Sequence, residues 1–157
     1  MNKKIVYILI STTVCLLIGI LASFATQSSV DGWYVTLNKP SFNPPNWIFG
    51  PVWGVLYLMM GVAAGIVWAK GFYHIWVKTA LYHFGFQLLL NALWSIVFFG
   101  LQSPLWALFV ILALLALIVL TIRWFNVVSK VAAFLMVPYL LWVCFAFLLN
   151  YKIWELN

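Results

Sequence analysis

The sequence predicts an all-α integral membrane protein, a bundle of five transmembrane helices with a long proline- and aromatic-rich loop between the first and the second. Three observations carry this. Of 157 residues, 67% are apolar and 6% charged, with a mean hydropathy of +1.12, which excludes an ordinary water-soluble domain of this length. The eight Lys/Arg and two Asp/Glu fall between or at the ends of apolar runs at 5–26, 47–69, 79–101, 104–122 and 131–149. At about 1.5 Å per residue, each run crosses a hydrocarbon core of about 30 Å. The third observation is the placement of positive charge. Lys3, Lys4, Lys70, Lys78, Arg123 and Lys130 lie on the side of the amino terminus, against Lys39 and Lys152 on the other. The excess places the amino terminus in the cytoplasm, with the loop 27–46 and the carboxyl terminus outside. Residues 1–157 then form a single transmembrane domain.

The net charge of +6 is an orientation signal and an attraction to anionic lipid, without a nucleic-acid footprint. The first run is too long for the apolar core of a signal peptide, so this helix is expected to stay. Toward its outer end Gly19 and Ser23 form a small-xxx-small pair that admits close approach of another helix. Ser29 or Asp31 is placed to cap a short loop helix through Trp33 and Leu37, ended by Pro40. Pro40, Pro44 and Pro45 stiffen the run 38–45. The rings of Trp33, Tyr34, Phe42, Trp47, Phe49 and Trp53 around it are expected to cover an apolar binding cavity. Asn46 is expected to cap the second span. Pro51 cannot donate to the Trp47 carbonyl, which predicts a kink near Gly50 and a free backbone acceptor.

In the second helix Trp53, Tyr57 and Met60 share a ring-bearing face, while Gly54, Gly61 and Gly65 offer close packing. The third carries a polar stripe, His83, Gln87, Asn91 and Ser95, at successive i, i+4 steps. Such groups are costly in hydrocarbon and must bond across helices or to a ligand; both remain open. His83, near the cytoplasmic end, reads as helix-bonded or wetted rather than a metal or haem ligand. The fourth helix is a structural span of Leu, Ile and Ala. The fifth aligns Pro138, Tyr139, Trp142, Ala146 and Asn150. Trp68, Trp76, Trp124 and Trp154 sit where an interfacial belt requires, whereas Trp53 and Trp142 lie inside spans. Cys15 and Cys144 read as small apolar residues.

Three motifs in order, WYVTLNKPSFNPPNW with GPVWGVLYLMMG, QLLLNALW with FFG, and PYLLWVCFAFLLNYKIW, resemble the translocator protein family, also called tryptophan-rich sensory proteins or peripheral-type benzodiazepine receptors. The resemblance covers nearly the whole chain. It implies five helices, a homodimer and a cavity open to the loop side that binds porphyrins or haem-type tetrapyrroles and synthetic aromatic ligands of the benzodiazepine-receptor class, with no obligatory cofactor and no metal. Carried over by position, Trp53 and Trp142 form the ring pair at the cavity. Ser23, Tyr57, Asn91, Trp94, Ala146 and Leu149 stand around it, with Phe49 and Gly50 near its mouth. The sterol-recognition pattern of animal relatives is not matched, since Tyr151 is followed directly by Lys152. The chain stops at Asn157 without a long basic tail, which points to a bacterial inner membrane.

Function then divides among tetrapyrrole binding or sensing, passive carriage, and light-dependent oxidative breakdown of porphyrin with Trp53 and Trp142 as electron donors. Ion-coupled transport is disfavoured, because no Asp or Glu lies within a span and five helices do not divide into two equal inverted halves. No general base, nucleophile or metal set supports hydrolysis or group transfer. For a dimer the sequence offers two faces, Gly61 with Gly65, and the third helix near Ala80 and Phe84.

Overall fold

A computed structural model describes residues 1–157 as five helices without strands: α1 Lys3–Asp31, α2 Asn46–Trp68, α3 Ile75–Ser95, α4 Pro104–Val128 and α5 Lys130–Leu156. All five are long and apolar enough to cross a membrane. Several overrun the apolar runs that predict them. α1 continues past Thr26 to Asp31, because Gly32 is the first residue that breaks it. Ser29 and Asp31 are therefore absorbed into α1 instead of capping a loop helix, and the loop holds one 3₁₀ turn, Tyr34–Thr36. Asn46 is the first residue of α2, with Pro45 in the cap position. α4 and α5 start on Ser103 and Ser129, whose hydroxyls accept from Trp106 and Ala132. That is the usual remedy for the unpaired first N–H groups of a helix. α3 ends in a π-helical turn, Ile96–Gly100, and Gln102, at φ 53°, swings the chain into α4.

The helices pack as a ring in the order α1, α2, α5, α4, α3, closed where the π turn after α3 meets α1. The loop and the carboxyl terminus share one end, joined by bonds between Asn38 and Asn157 at 3.1 and 2.9 Å. At the other end α1 lies directly on α2. A Cβ on Gly61 would fall inside contact distance of the Thr12 Cα, and one on Gly65 would meet the Ile8 backbone. The Ser11 hydroxyl donates to the Gly61 carbonyl at 2.7 Å.

The GxxxG step is thus used within the protomer, which corrects its reading as a dimer face. The alternative face is used as well. Ala80 and Phe84 are buried, and Phe84 stacks on Phe125 of α4 with centroids 5.8 Å apart.

The middle of the α3 polar stripe, Gln87 and Asn91, resolves as interhelical bonding. Asn91 accepts from the Tyr57 hydroxyl at 2.9 Å and donates to the Tyr139 hydroxyl at 2.8 Å. Tyr139 in turn donates to Gln87 Oε1 at 2.7 Å, and the Gln87 amide reaches the Met60 sulfur at 3.8 Å. One continuous chain of donors and acceptors therefore ties α2, α3 and α5 together. Its amide and phenol groups find partners where hydrocarbon offers none.

The glycines of α2 give a graded expectation for stability. Gly61→Ala, forced against α1 backbone, is expected to cost about 1–3 kcal/mol. Gly54→Ala, whose Cβ would have nothing within 4 Å, should be neutral or gain up to about 1 kcal/mol from the lower entropy of the unfolded chain. Thermal unfolding of both variants in one detergent checks the contrast, and equal melting temperatures would refute the packing.

Candidate ligand-binding site

The bundle is tight at the end where α1 touches Gly61 and Gly65, and opens toward the loop. There α1, α2, α5 and the end of α3 enclose a cavity of about 630 Å³, within the range of small-molecule sites. α4 contributes nothing to its lining. Rings form most of the depth: Trp53 and Tyr57 from α2, Trp94 and Phe98 from α3 and its π turn, Trp142 from α5. Ala146 and Leu149 complete the α5 wall, and Ser23 faces in from α1. Phe49 and Gly50 stand near the start of α2, also on the lining.

Trp53, Tyr57, Trp94, Phe98 and Trp142 each have an aromatic neighbour. Trp53 lies against Tyr57 at 5.7 Å and Tyr139 at 6.4 Å between centroids. Trp142 lies against Phe49 at 6.2 Å and Phe145 at 5.4 Å. The two tryptophans share the cavity but do not stack on each other. The Trp94 indole donates to Asn150 Oδ1 at 3.0 Å, and Asn150 donates to the Pro104 carbonyl at 2.8 Å, which locks α3, α4 and α5. The Trp142 indole N–H is buried without an acceptor. Gly19 leaves room for the Tyr57 ring, since a Cβ there would meet it at 2.7 Å.

Asn91 is the one candidate that the structure places elsewhere. Fully buried, with both ends of its amide bonded to phenols, it stands one layer behind the wall and orients Tyr57. His83 is likewise absent from the lining; its Nδ1 lies 2.8 Å from the Thr79 carbonyl, a contact within its own helix. Ser95 moves the other way and reaches the lining.

The proline-rich loop closes the end of the cavity through Tyr34, which lines it. Trp33 meets Phe98 edge-on at 5.7 Å, and Tyr34 packs on Phe99 at 5.7 Å. The Tyr34 hydroxyl donates to Asn43 at 2.9 Å. Burial pushes the phenol above its ordinary pKa. The cavity also opens sideways between the outer halves of α1 and α2, where Gly50 and Gly54 line it while remaining exposed.

Gln27, Asp31 and Asn46 form a polar rim that sequence reasoning missed. Its signal was present. Ser23, Gln27 and Asp31 are spaced i, i+4, a stripe that becomes visible once α1 is extended to Asp31.

Comparison with known proteins agrees with this architecture. The tryptophan-rich protein TspO of Chlorobaculum tepidum is 45% identical over 157 residues, 100% of this chain and 99% of the relative. The translocator protein of Homo sapiens is 42% identical over 128 residues, 80% of this chain and 75% of its own length. The tryptophan-rich sensory protein of Cereibacter sphaeroides is 37% identical over 128 residues, covering 81% and 78% respectively. The profile of the TspO/MBR family matches residues 11–155, and with five apolar helices around a tryptophan-walled cavity this chain belongs to that family.

Proposed function

We propose that this membrane protein binds a planar lipophilic ligand of the tetrapyrrole class, or an aromatic ligand of similar outline, inside the cavity. The observation that carries the reading is the wall itself, a space of about 630 Å³ faced by Trp53, Tyr57, Trp94, Phe98 and Trp142. Ring faces suit an extended π-system, and their contacts are independent of its exact substituents. Relatives named translocator protein and tryptophan-rich sensory protein fit a chain whose first task is to hold a small molecule.

Ala146, 8% exposed on the wall, gives the direct test. Ala146→Phe adds a ring at that wall, and Ala146 makes none of the bonds that join Tyr57, Asn91, Tyr139 and Gln87. Porphyrin binding, read by quenching of tryptophan fluorescence, should weaken at least about tenfold, or about 1.4 kcal/mol. Unchanged affinity would place the ligand outside the cavity.

Light-dependent breakdown of the bound macrocycle is supported by the setting of Trp53, whose indole lies against two phenols. In this reading the excited macrocycle takes one electron from an indole, the reduced macrocycle adds dioxygen, and the adduct returns one electron to the indole radical cation as a macrocycle C=C bond is replaced by two C=O bonds, with dioxygen as the oxidant. Trp53→Phe and Trp142→Phe keep ring area and should retain binding within a few-fold. Loss of porphyrin absorbance under light should fall sharply in both variants. Equal loss of binding and breakdown would reduce the rings to a shape-determining role, and undiminished breakdown in both would leave a passive binder or carrier. The side opening between α1 and α2 favours that carrier reading, since a lipophilic ligand can pass there without crossing water.

We further infer a cell-membrane location with the amino terminus in the cytoplasm, on the strength of the six Lys/Arg at that end against two at the other. Ser41 is exposed at the tip of the loop. In a background with Cys15 and Cys144 replaced by alanine, Ser41→Cys should react with an impermeant thiol reagent added outside intact cells. Labelling only after the membrane is opened would invert the topology.

A further inference from the structure

What the cavity accepts depends on its charge as well as its rings, and here the lining is one-sided. Among its residues only Asp31 bears a formal charge, and none is Lys or Arg. Both cations at this end of the bundle are engaged elsewhere. Lys39 donates to the Tyr34 and Leu37 carbonyls at 2.9 and 3.1 Å, with its ammonium 4.9 Å from the Tyr34 ring centroid. Lys152 is paired with Glu155 at 2.6 Å. The remaining six Lys/Arg stand at the opposite end.

Helix polarity acts in the same direction. The lining draws on the carboxyl-terminal turns of α1 and α5 and on the π turn that ends α3, against a single amino-terminal turn, that of α2. Carboxyl-terminal ends carry negative partial charge. Asp31 sits at the end of α1, where its own helix repels it, and the amide of Gln27 at 3.3 Å orients the carboxylate without neutralising it. Asp31 itself is exposed, so its field acts at the solvent-wetted mouth of the cavity and is open to screening by salt.

Resting on the reading that a planar macrocycle occupies this space, we propose that the cavity selects by charge. It takes ligands whose inserted edge is neutral or cationic, and a carboxylate-bearing tetrapyrrole binds only with its carboxylates held outside the rim. Asp31 sets this preference. A neutral ester is therefore bound in preference to the corresponding diacid beyond any difference in lipid partitioning.

The test uses the full chain in nanodiscs of uncharged lipid, with protoporphyrin IX and its dimethyl ester as probes and tryptophan quenching as readout. Since partitioning is common to all variants, the informative quantity is the ratio of the two dissociation constants in wild type, Asp31→Asn and Asp31→Lys. Asp31→Asn should shift the ratio toward the diacid by about two- to threefold, and Asp31→Lys by about three- to tenfold. The ester's own affinity should change less than about twofold. Raising the salt from about 20 mM to about 500 mM should compress the shift, as expected for a charge at a wet rim. Removing a carboxylate from the end of α1 relieves its clash with the helix dipole, so both variants should melt no lower than wild type. A ratio that stays constant across the three proteins, or both probes weakening together, would overturn the proposal. Failure of either probe to quench wild-type protein would instead overturn the tetrapyrrole reading on which it rests.

Discussion

Hydrocarbon gives a side-chain amide or phenol no partner, and the fold is arranged so that those in the middle of the bundle meet one another. Asn91 on α3 receives from Tyr57 on α2 and donates to Tyr139 on α5, which donates back to Gln87. Individually such bonds are worth about 0.6–2 kcal/mol in a membrane. Their geometry matters more than their sum. A planar amide between two hydroxyls, both at hydrogen-bonding distance, fixes how far α2 stands from α5 and how each phenol is turned. Trp53 lies against both phenols, so the position of a principal wall ring is inherited from bonds to Asn91, which stands behind the lining.

This explains which features were legible in the sequence. Spans could be read because hydropathy summed over about 20 residues is a bulk property, indifferent to which helix lies beside which. The need of Gln87 and Asn91 for partners was equally legible, since desolvation does not depend on topology. The identity of those partners was not. Whether Asn91 meets a ligand or a phenol depends on two tyrosines 34 and 48 residues away, and only the helix order decides it. Gly61 and Gly65 show the same limit. Their spacing announces a close contact, but α1 of the same chain and α2 of a second copy would be announced identically. The rim was missed for a different reason, because ending α1 at Thr26 by hydropathy hid the continuation of Ser23 into Gln27 and Asp31. A helix obeys its backbone, and nothing before Gly32 stops it.

α4 stands apart from the cavity, and its role follows from that. Ile111, Leu114, Ile118 and Phe125 bury their side chains against α3 and α5, and Asn150 bonds the carbonyl of Pro104 at its start. The rings of Trp94 and Trp142 project from the two helices that α4 clamps. A span of Leu, Ile and Ala with no chemistry of its own thereby makes half of the wall rigid, which a ring-lined site needs if its faces are to be set before a ligand arrives.

α1 completes the enclosure on different terms. Only Cys15 and Ser29 are buried along its length, and it is pinned at two places. Near one end the Gly61 and Gly65 contacts and the bond from Ser11 hold it to α2, and near the other the Ser29 hydroxyl donates to the Phe99 carbonyl at 2.6 Å. Between these points Gly19, Ser23 and Gln27 face the cavity, while Leu17, Leu21 and Phe24 are exposed on the helix surface. Between the two pins α1 is also held by packing, since Cys15 is buried and the Tyr57 ring lies directly against Gly19. The wall is thus set by packed rings on the α2, α3 and α5 sides and left open between α1 and α2, where Gly50 and Gly54 line the cavity while exposed.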